Sequence, residues 1–193
     1  MKHLKMLIPA FAVAIALLAP VTASATQLTS PAGTLYTGTI HAASEFSMSW
    51  HGPYATIKCN KSTISGTVES HSSVTTAIVK LSSVSFTECS FPFKVVKPGT
   101  LEIHTDDSAV NDGNGTITWS GMELTYETSI ANCLFTTNNT DIGTLTGSDT
   151  GNAKWDIPPN TAIPRTGHSV FCGSSSTLTG SYSITTPSTL TVD

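Results

Sequence analysis

The sequence predicts an all-β fold, an antiparallel β-sandwich or barrel-like domain with two disulfides. Three observations predict it. Apolar residues alternate with Ser and Thr along most of the chain, most clearly over Thr177 to Thr185, where Leu178, Gly180, Tyr182 and Ile184 take one phase and hydroxyls the other. A strand sends successive side chains to opposite faces, so this is a half-buried strand with one apolar and one hydroxyl face. Such segments recur every 8 to 12 residues or so, bounded by turn residues, and no 3.6-residue apolar pattern is sustained after residue 25.

The N-terminus reads as a secretory leader. Lys2, His3 and Lys5 precede an apolar run from Met6 to Ala19, and Ala23-Ser24-Ala25 gives a small-x-small cleavage signal. Cleavage is expected after Ala25, which leaves residues 26–193 as a single all-β domain of 168 residues. The apolar run is short for a membrane span and no second one follows, so no membrane span is expected after processing. A secreted, periplasmic or cell-surface location follows from this.

Residues 26–33 read as an extended lead-in ending in a turn. Leu35 to His41 and the Phe46–Met48–Trp50 alternation give two strands, broken by His51-Gly52-Pro53. Tyr54 to Cys59 and Thr63 to Glu69 follow as separate strands. From Val74 to Phe86 the apolar phase shifts, and a bulge near Ser82-Ser83 reconciles Ala77, Val79 and Leu81 with Val84 and Phe86. Phe91-Pro92-Phe93 belongs on an edge, because Pro donates no ladder hydrogen bond.

Leu101 to Thr105 is a strand. Asp106 to Gly115 is a polar connection, and Thr116 to Trp119 with Met122 to Thr128 forms the next pair. Cys133 to Phe135, Thr144 to Thr146 and Lys154 to Ile157 are shorter strands, and Pro158-Pro159 with Pro164 marks an irregular segment. Ser169 to Cys172, Thr177 to Thr185 and Thr189 to Val192 complete the chain. Three tetrads, at Ile64-Ser65-Gly66-Thr67, Leu145-Thr146-Gly147-Ser148 and Leu178-Thr179-Gly180-Ser181, share a Gly between hydroxyls. They mark local packing where another group needs room, such as a large Trp or Tyr across the core.

Cys59, Cys89, Cys133 and Cys172 all follow the leader and enter an oxidising compartment. Four cysteines allow three pairings, and chain order favours Cys59–Cys89 with Cys133–Cys172. A zinc site is the competing reading, but no C-x-x-C pair is present. After processing, seven basic residues face thirteen acidic ones, a formal charge of −6 without a basic cluster. Nucleic acid is therefore not an expected partner.

Catalytic motifs are absent. No H-E-x-x-H, G-x-S-x-G or phosphate-binding Gly loop occurs, and no cofactor is implied. Asp106, Asp107, Asp112 and Asn114 supply the oxygen ligands a Ca²⁺ loop uses, but their spacing fits a Gly-rich hairpin turn better. Trp50, Tyr54, Trp119 and Trp155 are candidates for a stacking platform on a glycan, although aromatics this scarce are more often needed in a core.

The stretch Thr29 to Thr34, a Gly-Thr strand, the lone Cys59, Ile64-Ser65-Gly66-Thr67-Val68 and Val84-Ser85-Phe86-Thr87 before Cys89 resembles the start of small exported bacterial alkane-oxidation activators, PraB-like proteins. The resemblance covers the first half of the mature chain. It implies a secreted, non-enzymatic protein of the cell surface or biofilm matrix. Chaperone–usher pilins share the leader, the Thr-rich alternation and the disulfides, but Leu190 to Asp193 lacks their aromatic ending.

The first expectation is thus a non-enzymatic structural protein of a surface or extracellular matrix, self-associating by edge pairing or by strand exchange through Thr26 to Ile40. A glycan- or ligand-binding module is the alternative, and a hydrolase ranks third.

Overall fold

The computed structural model describes residues 26–31, 33–44, 48–52, 56–73, 76–105, 112–127, 131–166, 170–172 and 174–193. The leader, Tyr54, Asp106 and Asp107 lie outside these residues. The chain is built almost wholly of antiparallel strands.

Eight strands close a barrel. In spatial order they are β12 (Lys154–Pro164), β11 (Thr140–Thr146), β8 (Gly115–Ser120), β7 (Thr100–Thr105), β5 (Thr76–Cys89), β4 (Thr56–Ser73), β2 (Thr39–Ser44) and β13 (Ser175–Thr186), and β13 returns to β12. Closure leaves no free edge around this ring. β3 (Met48–His51) continues the line of β2, pairing with β13 on one side and β4 on the other. β4, β5, β12 and β13 run on beyond the ring. A three-stranded sheet faces their extensions: β6 (Phe93–Lys97), β9 (Glu123–Glu127) and β10 (Asn132–Thr136), in the order β10-β9-β6. A two-stranded ladder ties the described ends together, Leu28–Thr29 (β1) against Thr191–Val192 (β14).

The alternation seen in the sequence becomes this architecture directly. Along β8 the pattern buries Ile117 and Trp119, and along β13 it buries Leu178, Tyr182 and Ile184. The expected bulge falls at Ser82, where the β4–β5 register shifts between Ser65↔Ser83 and Gly66↔Leu81.

Several expectations need correction. Tyr54 to Cys59 and Thr63 to Glu69 are not separate strands; Thr56–Ser73 is one strand of 18 residues. Its polar middle is tolerated because Lys61 and Ser62 keep their ladder with Thr87 and Phe86. Thr116 to Trp119 and Met122 to Thr128 do not pair with each other. Gly121, at φ +69°, turns the chain out of the barrel and into the second sheet. The proline segment is not irregular either. β12 runs through it, and Pro158, Pro159 and Asn160 occupy a bulge between Ile157↔Gly180 and Thr161↔Leu178, where no ladder partner is required. Near Cys172 the chain forms a 3₁₀ turn, Val170–Cys172, instead of a strand.

The Gly tetrads do mark close approaches. A Cβ on Gly66 would meet the Lys80 carbonyl at 2.7 Å, and one on Gly147 would meet the Gly113 carbonyl at 2.1 Å. At Gly180 the neighbour is Met48, with Sδ 2.0 Å from the position a Cβ would take. Backbone and a methionine need the room, not the expected Trp or Tyr.

Candidate functional site

Both disulfides take the favoured pairing. Cys59–Cys89 links directly opposed residues of β4 and β5, and Cys133–Cys172 ties β10 to the 3₁₀ turn. No cysteine is free. Each bond fastens the second sheet or the strand extensions facing it.

The barrel interior is filled. Trp155 stacks on Tyr182 at 4.9 Å and meets Trp119 edge-on at 5.9 Å. The indole of Trp119 donates to the Pro98 carbonyl at 2.8 Å, and that of Trp155 to the Ile142 carbonyl at 3.1 Å. An aliphatic cavity of about 20 Å³ remains, lined by Ile40, Ile64, Val79, Ile103 and their neighbours. That is room for about one water and far below the several hundred Å³ of a small-molecule pocket.

A second aromatic cluster lies between the strand extensions and the three-stranded sheet. Trp50 contacts Phe93 at 5.4 Å and Phe135 at 5.5 Å, Tyr126 stacks on Phe135, and Phe86 meets Phe93 edge-on at 5.0 Å. Trp50, Trp119 and Trp155 are 2 %, 0 % and 1 % exposed. They are core residues and do not form a surface platform for a glycan.

Of the Ca²⁺ candidates, the described pair Asp112 and Asn114 lies in a turn. The Asp112 carboxylate accepts the Asn114 backbone N–H at 2.9 Å, which holds it below its usual range, and the Asn114 side chain accepts the Gly147 N–H at 3.0 Å. Gly113 sits between them at φ +78°. Among the described residues no three His, Cys, Asp or Glu side chains converge as a metal site. His41, His51 and His104 each bond a hydroxyl: Ser65 at 2.7 Å, Thr56 at 3.0 Å, and Thr76 at 3.1 Å, respectively.

The feature sequence reasoning missed is a seam between β5 and β6. β5 pairs with β7 from Ala77↔Ile103 to Lys80↔Thr100, and the Leu81 N–H still reaches the Gly99 carbonyl at 3.2 Å. Beyond that point the chain from Pro98 back to Phe93 departs to pair with β9. No ladder joins β5 to β6 among the described residues.

The direction of the free groups follows from the register. The Val68 N–H bonds the Gly38 carbonyl and the Ser62 N–H the Ser44 Oγ, so even-numbered residues of β4 face β2, while Thr63 and Ser65 face their partners Ser85 and Ser83 on β5. Val84 and Phe86 therefore turn their backbone groups to the seam. The side chains of Ser83, Ser85 and Thr87 are exposed, while that of Val84 is buried. Phe91 and Val96 flank the seam at 52 % and 48 % exposure. Ion pairs stand at its ends: Lys61 with Glu88, and Lys80 with Glu69 at 3.2 Å. Lys61 holds the Glu88 carboxyl below its usual range. The one sequence signal for this seam was Pro92, which put the Phe91–Phe93 segment on an edge.

No protein-family model, no curated protein and no solved structure matches this chain.

Proposed function

We propose that this chain is an exported, non-enzymatic structural protein of a cell-surface or extracellular, biofilm-type matrix, working through self-association. The observation that carries the reading is the edge of β5 over Ser83 to Thr87, open among the described residues, on a domain whose interior is filled. Unpaired strand edges are templates for another strand, and soluble proteins ordinarily protect them with charge, Pro or a cover. This edge carries no charged residue from Leu81 to Thr87. The leader, the two disulfides and the resemblance to exported alkane-oxidation activators support export and a surface setting.

Light scattering and electron microscopy on one sample of the exported protein test the reading. Oligomers or larger assemblies are expected. A monomer at every concentration would remove self-association as its function.

A further inference from the structure

The two disulfides sit in different surroundings. Cys133 and Cys172 are 1 % and 0 % exposed, so both of their sulfurs are sealed from solvent. Cys59 is likewise buried, at 3 %, but Cys89 is partly exposed. Cys89 is the last residue of β5, and it lines an open cleft of about 400 Å³ together with Phe86, Phe91 and Phe93. A disulfide exchanges when a thiolate reaches one of its sulfurs, so access separates an exchangeable bond from an inert one.

The backbone points the same way. Glu88, next to Cys89, has φ +54°, in the left-handed region that disfavours side chains. Such a conformation persists only where its surroundings over-determine it. Here the restraints are the bond from Cys89 to Cys59 and the ion pair with Lys61. Opening the bond removes one of them and lets Glu88 relax. Among the described residues no side chain at positive φ borders Cys133 or Cys172.

We propose that Cys59–Cys89 is a thiol-exchange site, at which a small thiol of the glutathione class adds to Cys89 from this cleft. The cleft has the volume of a small-molecule site, and aromatic rings make favourable contacts with sulfur. The thiolate of the incoming molecule attacks Cys89 Sγ. A bond forms between the two sulfurs as the Cys59–Cys89 bond breaks. The bonding pair leaves on Cys59 Sγ, which takes a proton from water, matching the proton the thiol gave up on ionising. The products are a mixed disulfide at Cys89 and a thiol at Cys59, with no net oxidation or reduction. A free Cys packs as a small apolar side chain, so Cys59 stays in the core. The reverse attack by Cys59 closes the bond again and releases the thiol. Exchange thus unties the end of β5 from β4, beside the loop that leads to β6. It needs one copy of the chain alone and stands apart from the self-association reading.

The experiment incubates the native protein with reduced glutathione. Free thiols are trapped at intervals with N-ethylmaleimide, and peptide mass spectrometry locates adducts and trapped cysteines. Circular dichroism and tryptophan fluorescence on the same samples report global unfolding. The expected result is a glutathione adduct on Cys89 with a trapped thiol on Cys59. It should form at least about tenfold faster than Cys133–Cys172 opens, because only Cys89 is within reach of the thiol, and the fold should be kept. An adduct on Cys59, equal rates at the two disulfides, or opening only together with global unfolding would overturn the proposal. A protein in which neither bond opens would overturn it as well.

Discussion

The hydroxyls of Tyr182 and Ser62 lie 2.6 Å apart in the barrel interior, joining β13 to β4 across the intervening β2. Tyr182 is 0 % exposed and Ser62 2 %. This pair is what lets Ser62, in the polar middle of β4, lie in the core. Tyr182→Phe leaves the Ser62 hydroxyl buried without its partner, so a loss of ~1–3 kcal/mol is expected in denaturant unfolding. Burial also raises the Tyr182 pKa above the ordinary phenol value, with the Ser62 bond partly opposing the shift. A raised folded-state pKa gives stability that is whole below the unfolded value of about 10 and lost as pH rises above it. Stability should therefore fall in alkali by up to ~1.4 kcal/mol per pH unit for this group, and Tyr182→Phe should flatten the slope. Tyr36, also raised by burial, contributes in the same sense, so the difference between the two proteins is the quantity to compare.

Each disulfide closes a loop of moderate length, with separations of 30 and 39 residues. Replacing either pair by Ala should cost ~3–4 kcal/mol in the chain-entropy account. The Cys59/Cys89 replacement should additionally raise amide exchange at the ends of β4 and β5, since these two residues are directly opposed there. Unfolding curves and exchange rates of the two double variants check both statements.

Gly180 leaves the space that Met48 occupies, and Met48 is 1 % exposed. Gly180→Ala should destabilise by ~1–3 kcal/mol through overpacking. Shortening the neighbour in the Met48→Ala, Gly180→Ala double variant should give a cost smaller than the sum of the single losses, because the two changes share one space. A thermal or denaturant cycle on the four proteins measures this coupling.

With all three tryptophans buried, acrylamide should barely quench the native fluorescence, and quenching should rise only with global unfolding. Strong quenching in the native state would place at least one indole at the surface and return a stacking platform to consideration.

The strands were legible because alternation at a period of two is imposed by a filled barrel, as in Ile117–Trp119 and Leu178–Tyr182–Ile184. The Ser82 bulge was legible for the same reason, since it is the place where the apolar phase changes. The path through Pro158-Pro159 was not, because a bulge hides prolines from the ladder. The division of Thr116 to Thr128 between two sheets was not legible either; it depends on which distant strands each half meets. The β5 edge was hidden for a related reason. Ser83-Val84-Ser85-Phe86-Thr87 reads as an ordinary strand, and only the departure of β6 toward β9 leaves one of its sides unpaired.

Amide exchange at Val84 and Phe86, followed by NMR as protein concentration rises, tests the central claim most directly. These are the amides that β5 turns toward the seam. Self-association at the β5 edge predicts that both exchange fast in dilute solution and slow as assemblies form. Fast exchange at both while light scattering reports assembly would contradict pairing at this edge.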